Sequence, residues 1–471
     1  MIVLNQSAVA MAKMIRQCEI SSAELITAHL ERIQHVNPSI NAITDLLADS
    51  ALLQAEAADR MLAAGDACGP LHGVPFSIKD SIDVEGRTTS AGTIGRKNAP
   101  PALQDATLVQ RLRSAGGIPI AKTNLPDLLF AFETDNLIFG PSNNPYDLSR
   151  TPGGSSGGES ALIAACGSPL GLGSDAAGSV RLPAAFCGLA SIKPTQGRLP
   201  RTGHVPPAGG WIADLWQTGP MARHTEDLVL AVQLLAGEDG FDISSAPVPL
   251  LQAERSQETR VAFFTYNGTA RCTPEVENAI LRCADFMSQS GMIVEERTPP
   301  FLEQTLELEL SLLGADGGDA IDAYLNAHGS TRIHPLLQGF LDRLRPFRAT
   351  ASQLSTRWAQ WDEYRNSMAR FFQQFDAIIC PVYTQPALAH GDSLKAANFE
   401  GFSYTMAWNL AGAPAATVRC AECKGLPINV QVVTKPWRDL LALDICQVIE
   451  QEFGGWQAPV IPLQKSLQSR Q

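Results

Sequence analysis

The sequence lacks the features that would assign it to a membrane or to a nucleic acid. It has no uncharged apolar run near the ~20 residues that a bilayer span requires. Lys13, Arg16 and Glu19 interrupt the amino-terminal stretch, which predicts an amphipathic helix and not a secretion signal. There are 36 basic and 48 acidic residues, a net charge of −12, which disfavours an anionic polymer as a direct partner. We therefore expect a cytoplasmic protein with no membrane partner and no nucleic-acid partner.

Metal-binding and nucleotide-binding patterns are also missing. Residues 420–423 form a lone C-x-x-C without a second pair, and the eight histidines show no ligand spacing. No G-x-x-x-x-G-K-[ST] motif occurs. The ten cysteines have largely apolar neighbours, which is typical of core positions in a reduced protein. We expect no metal and no cofactor.

Three segments carry side chains suited to attack on a carbonyl group. Residues 73–80 read GVPFSIKD and contain Lys79, residues 153–158 read GGSSGG and contain Ser155, and residues 175–181 read DAAGSVR and contain Ser179. A serine hydroxyl is a weak nucleophile at neutral pH and needs a base. A lysine serves as that base if burial keeps its amine neutral. The three segments therefore predict one active site.

The spacing of the two serine segments predicts how they are folded. An alanine-rich stretch over residues 160–166 separates them and predicts one helix between two glycine-rich loops. Such loops let several backbone N–H groups point at one place, as the oxyanion of an acyl-transfer reaction requires.

Two other motif matches in this region are weak. Residues 153–157 satisfy G-x-S-x-G, the nucleophile elbow of α/β-hydrolases, and residues 171–176 satisfy G-x-G-x-x-A. The second match runs into Pro183 and Pro194 where a dinucleotide-binding unit would continue, so nucleotide binding is disfavoured.

Taken together, these segments resemble the amidase signature family, whose enzymes are built around a Ser, cis-Ser, Lys triad. The resemblance rests on residues 151–160, on 173–183 with its continuation to Arg198, on 21–42 near the amino terminus and on 409–431 near the carboxyl terminus. It covers most of the chain and is weakest over residues 239–377.

The resemblance implies a role for each residue of the trio. Ser179 is the nucleophile, Ser155 relays the proton and follows a cis peptide bond, and Lys79 is the ultimate base. The oxyanion is held by the N–H groups of four consecutive residues, Ala176, Ala177, Gly178 and Ser179. Many members have Gly-Gly before the nucleophile where this chain has Ala177 and Gly178, and we interpret the alanine as a tolerated variant.

Neighbouring residues are expected to support the site or to line it. Asp175 and Arg181 flank Ser179 and predict a pair that braces the loop, and Ser156 is expected to be structural as well. Leu129 and Phe130 match positions that line the acyl-side cleft in the family, with ordinary core positions as the alternative. Five tryptophans are further candidates for aromatic surface: Trp211, Trp216, Trp358, Trp361 and Trp408.

The resemblance implies an α/β fold in a single domain over residues 1–471, with a mixed twisted sheet covered by helices on both faces. Residues 60–200 form the catalytic signature core because the trio must fold together. Residues 239–377 are expected to be a variable pocket segment, and residues 378–471 the carboxy-terminal part of the same domain. The oligomeric state is left as monomer or homodimer.

Two functions follow from the resemblance. The favoured one is a hydrolase of a non-peptide C–N bond in a small amide, including aryl amides and carbamates, through a serine acyl-enzyme. The alternative is the glutaminase subunit of a tRNA-dependent amidotransferase. In the pattern of that subunit, an aspartate that binds the glutamine amine stands seven residues before Asn409, where this chain has Phe402. A desolvated amino acid needs charged partners, so the apolar residue favours the first function.

Overall fold

One mixed sheet runs through the whole molecule. The computed structural model describes residues 3–207, 209–253 and 255–461. Within them, the strands pair in the order β1-β3-β2-β4-β6-β5-β10-β11-β9-β7-β8. The strands are β1 (Ile43–Leu46), β2 (Pro75–Lys79), β3 (Ile118–Thr123), β4 (Leu170–Asp175), β5 (Ala190–Lys193), β6 (Gln217–Ala222), β7 (Arg260–Phe263), β8 (Ile293–Glu296), β9 (Ala377–Pro381), β10 (Ala415–Cys423) and β11 (Leu426–Thr434).

Helices occupy nearly half of the remaining described chain. The α-helices are α1 (Ala8–Arg16), α2 (Ser22–Ile40), α3 (Ala48–Ala64), α4 (Thr107–Ser114), α5 (Gly157–Ala164), α6 (Arg181–Phe186), α7 (Thr225–Leu235), α8 (Pro274–Gln289), α9 (Thr305–Leu313), α10 (Asp319–Ala327), α11 (Pro335–Leu344), α12 (Ala351–Phe371), α13 (Ala396–Glu400), α14 (Ser403–Leu410) and α15 (Asp439–Phe453). Short 3-10 helices lie at Val3–Asn5, Ile94–Arg96, Asp127–Leu129, Gly210–Leu215, Leu302–Gln304 and Arg345–Phe347.

Most inner strands are buried along their whole length, while the two edge strands are not. Every residue of β2, β3 and β4 is buried, whereas β1 and β8 are partly exposed. Strands that read as nearly continuous apolar runs are typical of sheets with both faces covered. Pairs β2–β3 and β2–β4 are parallel, and β4–β6 is antiparallel. The predicted mixed sheet between helical layers is confirmed.

The pattern Ser21-Ser22-Ala23-Glu24 predicts a capping box that opens a helix, and α2 begins there but ends later than predicted. Ser21 and Glu24 form a capping box, with the Ser21 hydroxyl accepting from Glu24 N–H. An end near Gln34 is predicted, but α2 continues to Ile40 with Pro38 in its last turn. A proline there fits the helical φ and removes only one hydrogen bond. The helix ends at Asn41, which adopts φ 45°.

Elements predicted in the second half of the chain are confirmed within a few residues. The strand near Val261 is β7, the helix after Thr273 is α8, and the apolar run over residues 377–381 is β9. A long helix over residues 352–375 is predicted, and α12 spans Ala351–Phe371. Strands β7 and β8 join the same sheet as β9, so residues 239–377 contribute to that sheet. The boundaries of the three proposed segments stay predictions.

Two further expectations concern the redox state of the cysteines and the presence of a membrane-spanning helix. All ten cysteines are unpaired, as expected for a reduced protein. Within the described residues, every helix is either too short or too polar to cross a bilayer.

Candidate active site

Strand direction brings the catalytic segments to one edge of the sheet. Lys79 ends β2 and Asp175 ends β4, and these neighbouring strands are parallel. Ser179 follows in the loop between β4 and α6, and Ser155 lies in the loop before α5. The carboxyl ends of parallel strands are the usual location of ligand sites in open α/β sheets. The three residues of the predicted trio therefore approach one another.

Lys79 contacts the relay serine directly. Its Nζ lies 2.7 Å from Ser155 Oγ, 3.2 Å from Ser174 Oγ and 3.4 Å from the Ser174 carbonyl oxygen. The side chain is fully buried. Burial lowers the pKa of Lys79 well below 10.5, and the charges of Asp175 and Glu159 oppose this shift only in part. The arrangement suits a neutral amine.

Ser155 and Ser179 line one cleft, and the bond between Gly154 and Ser155 is cis, as the resemblance implies. Ser179 is 7% exposed and Ser155 1%. Among the described residues, no hydrogen bond joins the two hydroxyls. Catalytic hydrogen bonds often tighten only when substrate binds. The structure therefore brings Lys79 to Ser155, and Ser155 to the same cleft as Ser179.

The loop that carries Ser179 is held by a buried ion pair. Arg181 donates to both carboxylate oxygens of Asp175 at 2.9 and 3.0 Å, and both side chains are fully buried. Burial alone would raise the pKa of Asp175, but the Arg181 guanidinium holds it well below 3.8. Arg181 also donates to Asn409 and Gln431. The pair therefore has the contacts that a bracing role requires.

Ser156 also has the structural contacts expected of it. Its N–H donates to the Ser179 carbonyl oxygen at 3.1 Å, and its hydroxyl lies 3.4 Å from the Ser174 carbonyl oxygen. These bonds tie the two serine loops together.

One of the four predicted oxyanion donors already has an acceptor in the structure. Gly178 N–H donates to Asp175 Oδ1 at 2.8 Å, so this hydrogen is already used. A group committed to a buried carboxylate is a poor donor to a second oxygen. The N–H groups of Ala176, Ala177 and Ser179 remain as the candidates.

Gly178 is required in this loop for a different reason. It adopts φ +123°, and a Cβ there would lie 2.6 Å from Thr405 Cβ. Thr405 donates its hydroxyl to the Ala177 carbonyl oxygen at 2.7 Å. Ala177 has no such positive φ, so its methyl group is accepted without backbone strain. Interpreting Ala177 as a tolerated variant therefore agrees with the geometry.

The cleft beside the two serines is lined mostly by apolar side chains. Leu129 and Phe130 line it, so both are placed where the resemblance implies. Leu128 and Leu129 adopt φ 49° and 68°, a left-handed conformation that non-glycine residues rarely show and that often occurs at functional sites. The other lining residues are Ala131, Phe132, Ser155, Ser174, Ala176, Ala177, Ser179, Trp216, Leu313 and Phe340.

Of the four tryptophan candidates whose side chains the structure describes, one lines this cleft. Trp216 does so, with its ring edge-to-face on Phe130 at 6.3 Å. Trp361 and Trp408 are buried outside the cleft lining and Trp358 is 39% exposed, while the side chain of Trp211 lies outside the described residues. Phe132, Leu313 and Phe340 were not predicted, because nothing local in the sequence distinguishes a cleft wall from ordinary core.

Buried Phe402 lies next to this wall. Its ring stacks on Phe132 with centroids 3.8 Å apart and on Tyr383 at 4.9 Å. The position that holds an aspartate in the amidotransferase pattern is therefore part of an aromatic cluster. No group of three metal-ligating side chains is found in the described parts of the chain.

Comparison with known proteins agrees with this geometry. The family described as Amidase matches residues 24–443. The indoleacetamide hydrolase of Bradyrhizobium diazoefficiens is 34% identical over 95% of this chain and 86% of its own length. A glutamyl-tRNA(Gln) amidotransferase subunit of Heliobacterium modesticaldum is 31% identical over 93% of this chain and 94% of its own length.

The fold is also similar to that of solved enzymes. The structure of 6-aminohexanoate cyclic dimer hydrolase complexed with substrate superposes with a TM-score of 0.85, at 26% identity, over 96% of this chain and 97% of that one. The family match spans most of the chain, and the chain therefore belongs to the amidase family and is an amidase hydrolase.

Proposed function

We propose that this amidase hydrolyses small amides that carry an apolar or aromatic group beside the carbonyl, aryl amides and carbamates among them. The observation that carries the proposal is the cleft at Ser155 and Ser179. None of the described residues that line it is charged, and its aromatic and leucine side chains are Leu129, Phe130, Phe132, Trp216, Leu313 and Phe340. Such walls exclude water and favour an apolar ligand group.

The proposed reaction proceeds through an acyl-enzyme. Neutral Lys79 accepts the Ser155 hydroxyl proton while Ser155 accepts the proton of Ser179, and the Ser179 oxygen bonds to the carbonyl carbon. The N–H groups of Ala176, Ala177 and Ser179 stabilise the oxyanion. The relay then reverses: Ser155 protonates the leaving nitrogen, the C–N bond breaks, and Lys79 returns a proton to Ser155.

Water completes the cycle. It loses a proton to Ser155, whose own proton passes to Lys79, and attacks the ester carbonyl of acylated Ser179. The bond between the carbonyl carbon and the Ser179 oxygen then breaks, Ser155 protonates that oxygen, Lys79 returns its proton to Ser155, and the acid is released. A carbamate reacts at its carbonyl in the same way, which is why it belongs to the same proposal.

The alternative is the glutaminase activity of an amidotransferase subunit, a class of protein to which this chain is nearly as similar in sequence. Glutamine brings an ammonium and a carboxylate, and each needs a partner when water is excluded. The cleft wall is apolar where Phe132 stacks on Phe402, which supports the stand-alone reaction.

A panel of substrates tests the proposal. The panel contains an arylacetamide, an anilide, an aryl carbamate, an aliphatic amide of matched size and glutamine, each incubated with the parent enzyme and with Ser179→Ala. We expect the highest kcat/KM for the aromatic compounds and no turnover by Ser179→Ala. Ser191→Ala is the matched control, because Ser191 is a buried serine that hydrogen-bonds Thr417 within the sheet.

Two outcomes would contradict the proposal. Full activity of Ser179→Ala would exclude the acyl-enzyme. Glutamine hydrolysis above that of every aromatic compound would favour the amidotransferase alternative.

A further inference from the structure

A histidine far from the recognised motifs lies behind the catalytic lysine. His204 belongs to the chain between β5 and β6 and is 5% exposed. Its Nδ1 lies 3.0 Å from the carbonyl oxygen of Pro206, and its Nε2 lies 3.0 Å from Ser174 Oγ. Ser174 in turn contacts Lys79. His204, Ser174, Lys79 and Ser155 thus form one continuous chain of polar contacts.

The contacts of the imidazole fix its tautomer. A carbonyl oxygen only accepts hydrogen bonds, so Nδ1 carries the hydrogen that binds the Pro206 carbonyl. Burial lowers the pKa of His204 to about 3, with Lys79 and Arg201 acting in the same direction and the Pro206 hydrogen bond opposing it. The ring is therefore neutral near pH 7, and Nε2 has a lone pair and no hydrogen.

This tautomer decides which way the Ser174 hydroxyl points. Because Nε2 accepts a hydrogen bond, the Ser174 hydroxyl donates its one hydrogen to His204. Ser174 Oγ is then an acceptor toward Lys79 Nζ at 3.2 Å, and the Ser174 carbonyl oxygen is a second acceptor at 3.4 Å. Lys79 therefore faces two acceptors on the side away from the relay serine.

A neutral amine has two hydrogens and one lone pair. If both hydrogens of Lys79 go to the two acceptors on Ser174, the lone pair is left for the hydroxyl of Ser155, 2.7 Å away. A base needs this arrangement, in which its lone pair is directed at the hydroxyl that loses the proton. If the Ser174 hydroxyl instead donated to Lys79, it would occupy the lone pair, and Lys79 could not accept a hydrogen bond from Ser155.

We propose that His204 is a positioning residue for the reaction: by accepting the Ser174 hydroxyl, it directs the lone pair of Lys79 at Ser155. The inference rests on the proposed function, because it requires Lys79 to be the base. His204 itself touches no reacting atom.

The experiment compares a variant that loses the acceptor with one that keeps it. His204→Phe retains a ring against Trp216, whose centroid lies 5.5 Å away, but it cannot accept a hydrogen bond. His204→Gln places an amide oxygen near the position of Nε2. Each is measured for kcat and KM, and for the rate at which a fluorophosphonate modifies Ser179. This reagent reports nucleophile activation without a known substrate.

We expect His204→Phe to lower kcat and the labelling rate by about 10-fold to 100-fold, part of what general base catalysis contributes, with KM nearly unchanged. His204→Gln should recover most of the loss. In a Ser174→Ala background, His204→Phe should have no further effect, because both residues act on the same bond. If the Phe variant does not fold, His204→Leu provides the same comparison.

Three results would overturn the inference: unchanged labelling in His204→Phe, equal losses in the Phe and Gln variants, or additive losses with Ser174→Ala. Lys79→Met separates this failure from failure of the proposed function. If Lys79→Met still turns over, the proposed function fails; if it is inactive while His204→Phe is fully active, only the inference fails.

Discussion

Two fully buried lysines on neighbouring strands of this protein have opposite surroundings. Lys79 ends β2 and Lys122 lies on β3, one register position away, beside Ile78. Lys122 forms an ion pair with Asp80 at 2.8 Å and donates to Thr88 and Thr89. The polar contacts of Lys79 are instead two serine hydroxyls and one carbonyl oxygen.

The comparison shows that burial alone does not decide what a lysine does. Burial disfavours the ammonium in both places, but a carboxylate in contact restores it and uncharged oxygens restore it much less. Lys122 is paired with Asp80 inside the fold. Lys79 contacts no carboxylate among the described residues, and its pKa falls. One lysine is therefore suited to hold the fold, and the other to accept a proton.

The largest effect is expected from removing the uncharged lysine. Lys79→Met should lower kcat by about 10³-fold or more, because no other base of the described chain contacts Ser155. Its thermal unfolding midpoint should be unchanged or higher, since a buried polar group without a charged partner is replaced by an apolar one. Steady-state kinetics and calorimetry check both. A variant that keeps a tenth of the parent kcat would contradict the role of Lys79.

Replacing Lys122, the lysine paired with Asp80, should lower stability and leave kcat nearly unchanged. Lys122→Met leaves Asp80 buried without its cation and should lower the free energy of unfolding by about 3–5 kcal/mol. The kcat of the folded fraction should stay within a few-fold of the parent value. Urea unfolding measures the stability loss, and Asp80→Asn combined with Lys122→Met should recover part of it. If Lys122→Met is as stable as the parent, the ion pair with Asp80 does not stabilise the fold, and the contrast drawn between Lys122 and Lys79 is wrong.

The lowered pKa of Lys79 should also appear in the pH dependence of activity and stability. In the proposed mechanism the neutral form of Lys79 is the base, so kcat/KM should rise with pH through its folded pKa and level off well below pH 10.5. Between that pKa and about 10.4, the unfolded chain binds more protons than the folded one, so this lysine makes stability rise with pH. Lys79→Met should lack that rise. Activity that levels off only near pH 10.5 would contradict the lowered pKa.

The smallest effect is expected beside the nucleophile, where neither lysine is touched. Ala177→Gly removes a methyl group from an unstrained position and should change kcat by less than about three-fold. Stability should fall by about 0.4–1 kcal/mol, because glycine loses more backbone freedom on folding. Kinetics and urea unfolding again provide the measurement. A loss of kcat comparable to that of Lys79→Met would show that any change near Ser179 is harmful. The loss in Lys79→Met would then not identify Lys79 as the base.

The sequence predicts the parts of this site that lie in local motifs. Ser155 and Ser179 stand in glycine-rich loops that indicate acyl transfer, and Lys79 stands in a segment that resembles the same family. An apolar run over residues 377–381 is enough to predict β9. Leu129 and Phe130 are predicted from the resemblance and do line the cleft.

What the sequence does not predict depends on contacts between distant segments. His204 carries no spacing signal, and its contact with Ser174, 30 positions earlier, exists only in the folded chain. That Gly178 N–H is used by Asp175 depends on side-chain rotamers. The end of α2 is missed for a simpler reason: an Asn-Pro pair usually marks a boundary, yet Pro38 fits the last turn.

The hydrogen bond from Thr405 to Ala177 has a consequence for biosynthesis. The two residues are 228 positions apart, and Arg181 reaches Asn409 across a similar separation. A ribosome translates the nucleophile long before it translates the helix that holds the nucleophile's loop in shape. The nascent chain therefore carries Ser179 before α14 is present to hold its loop. We expect hydrolytic activity only after α14 has been synthesised.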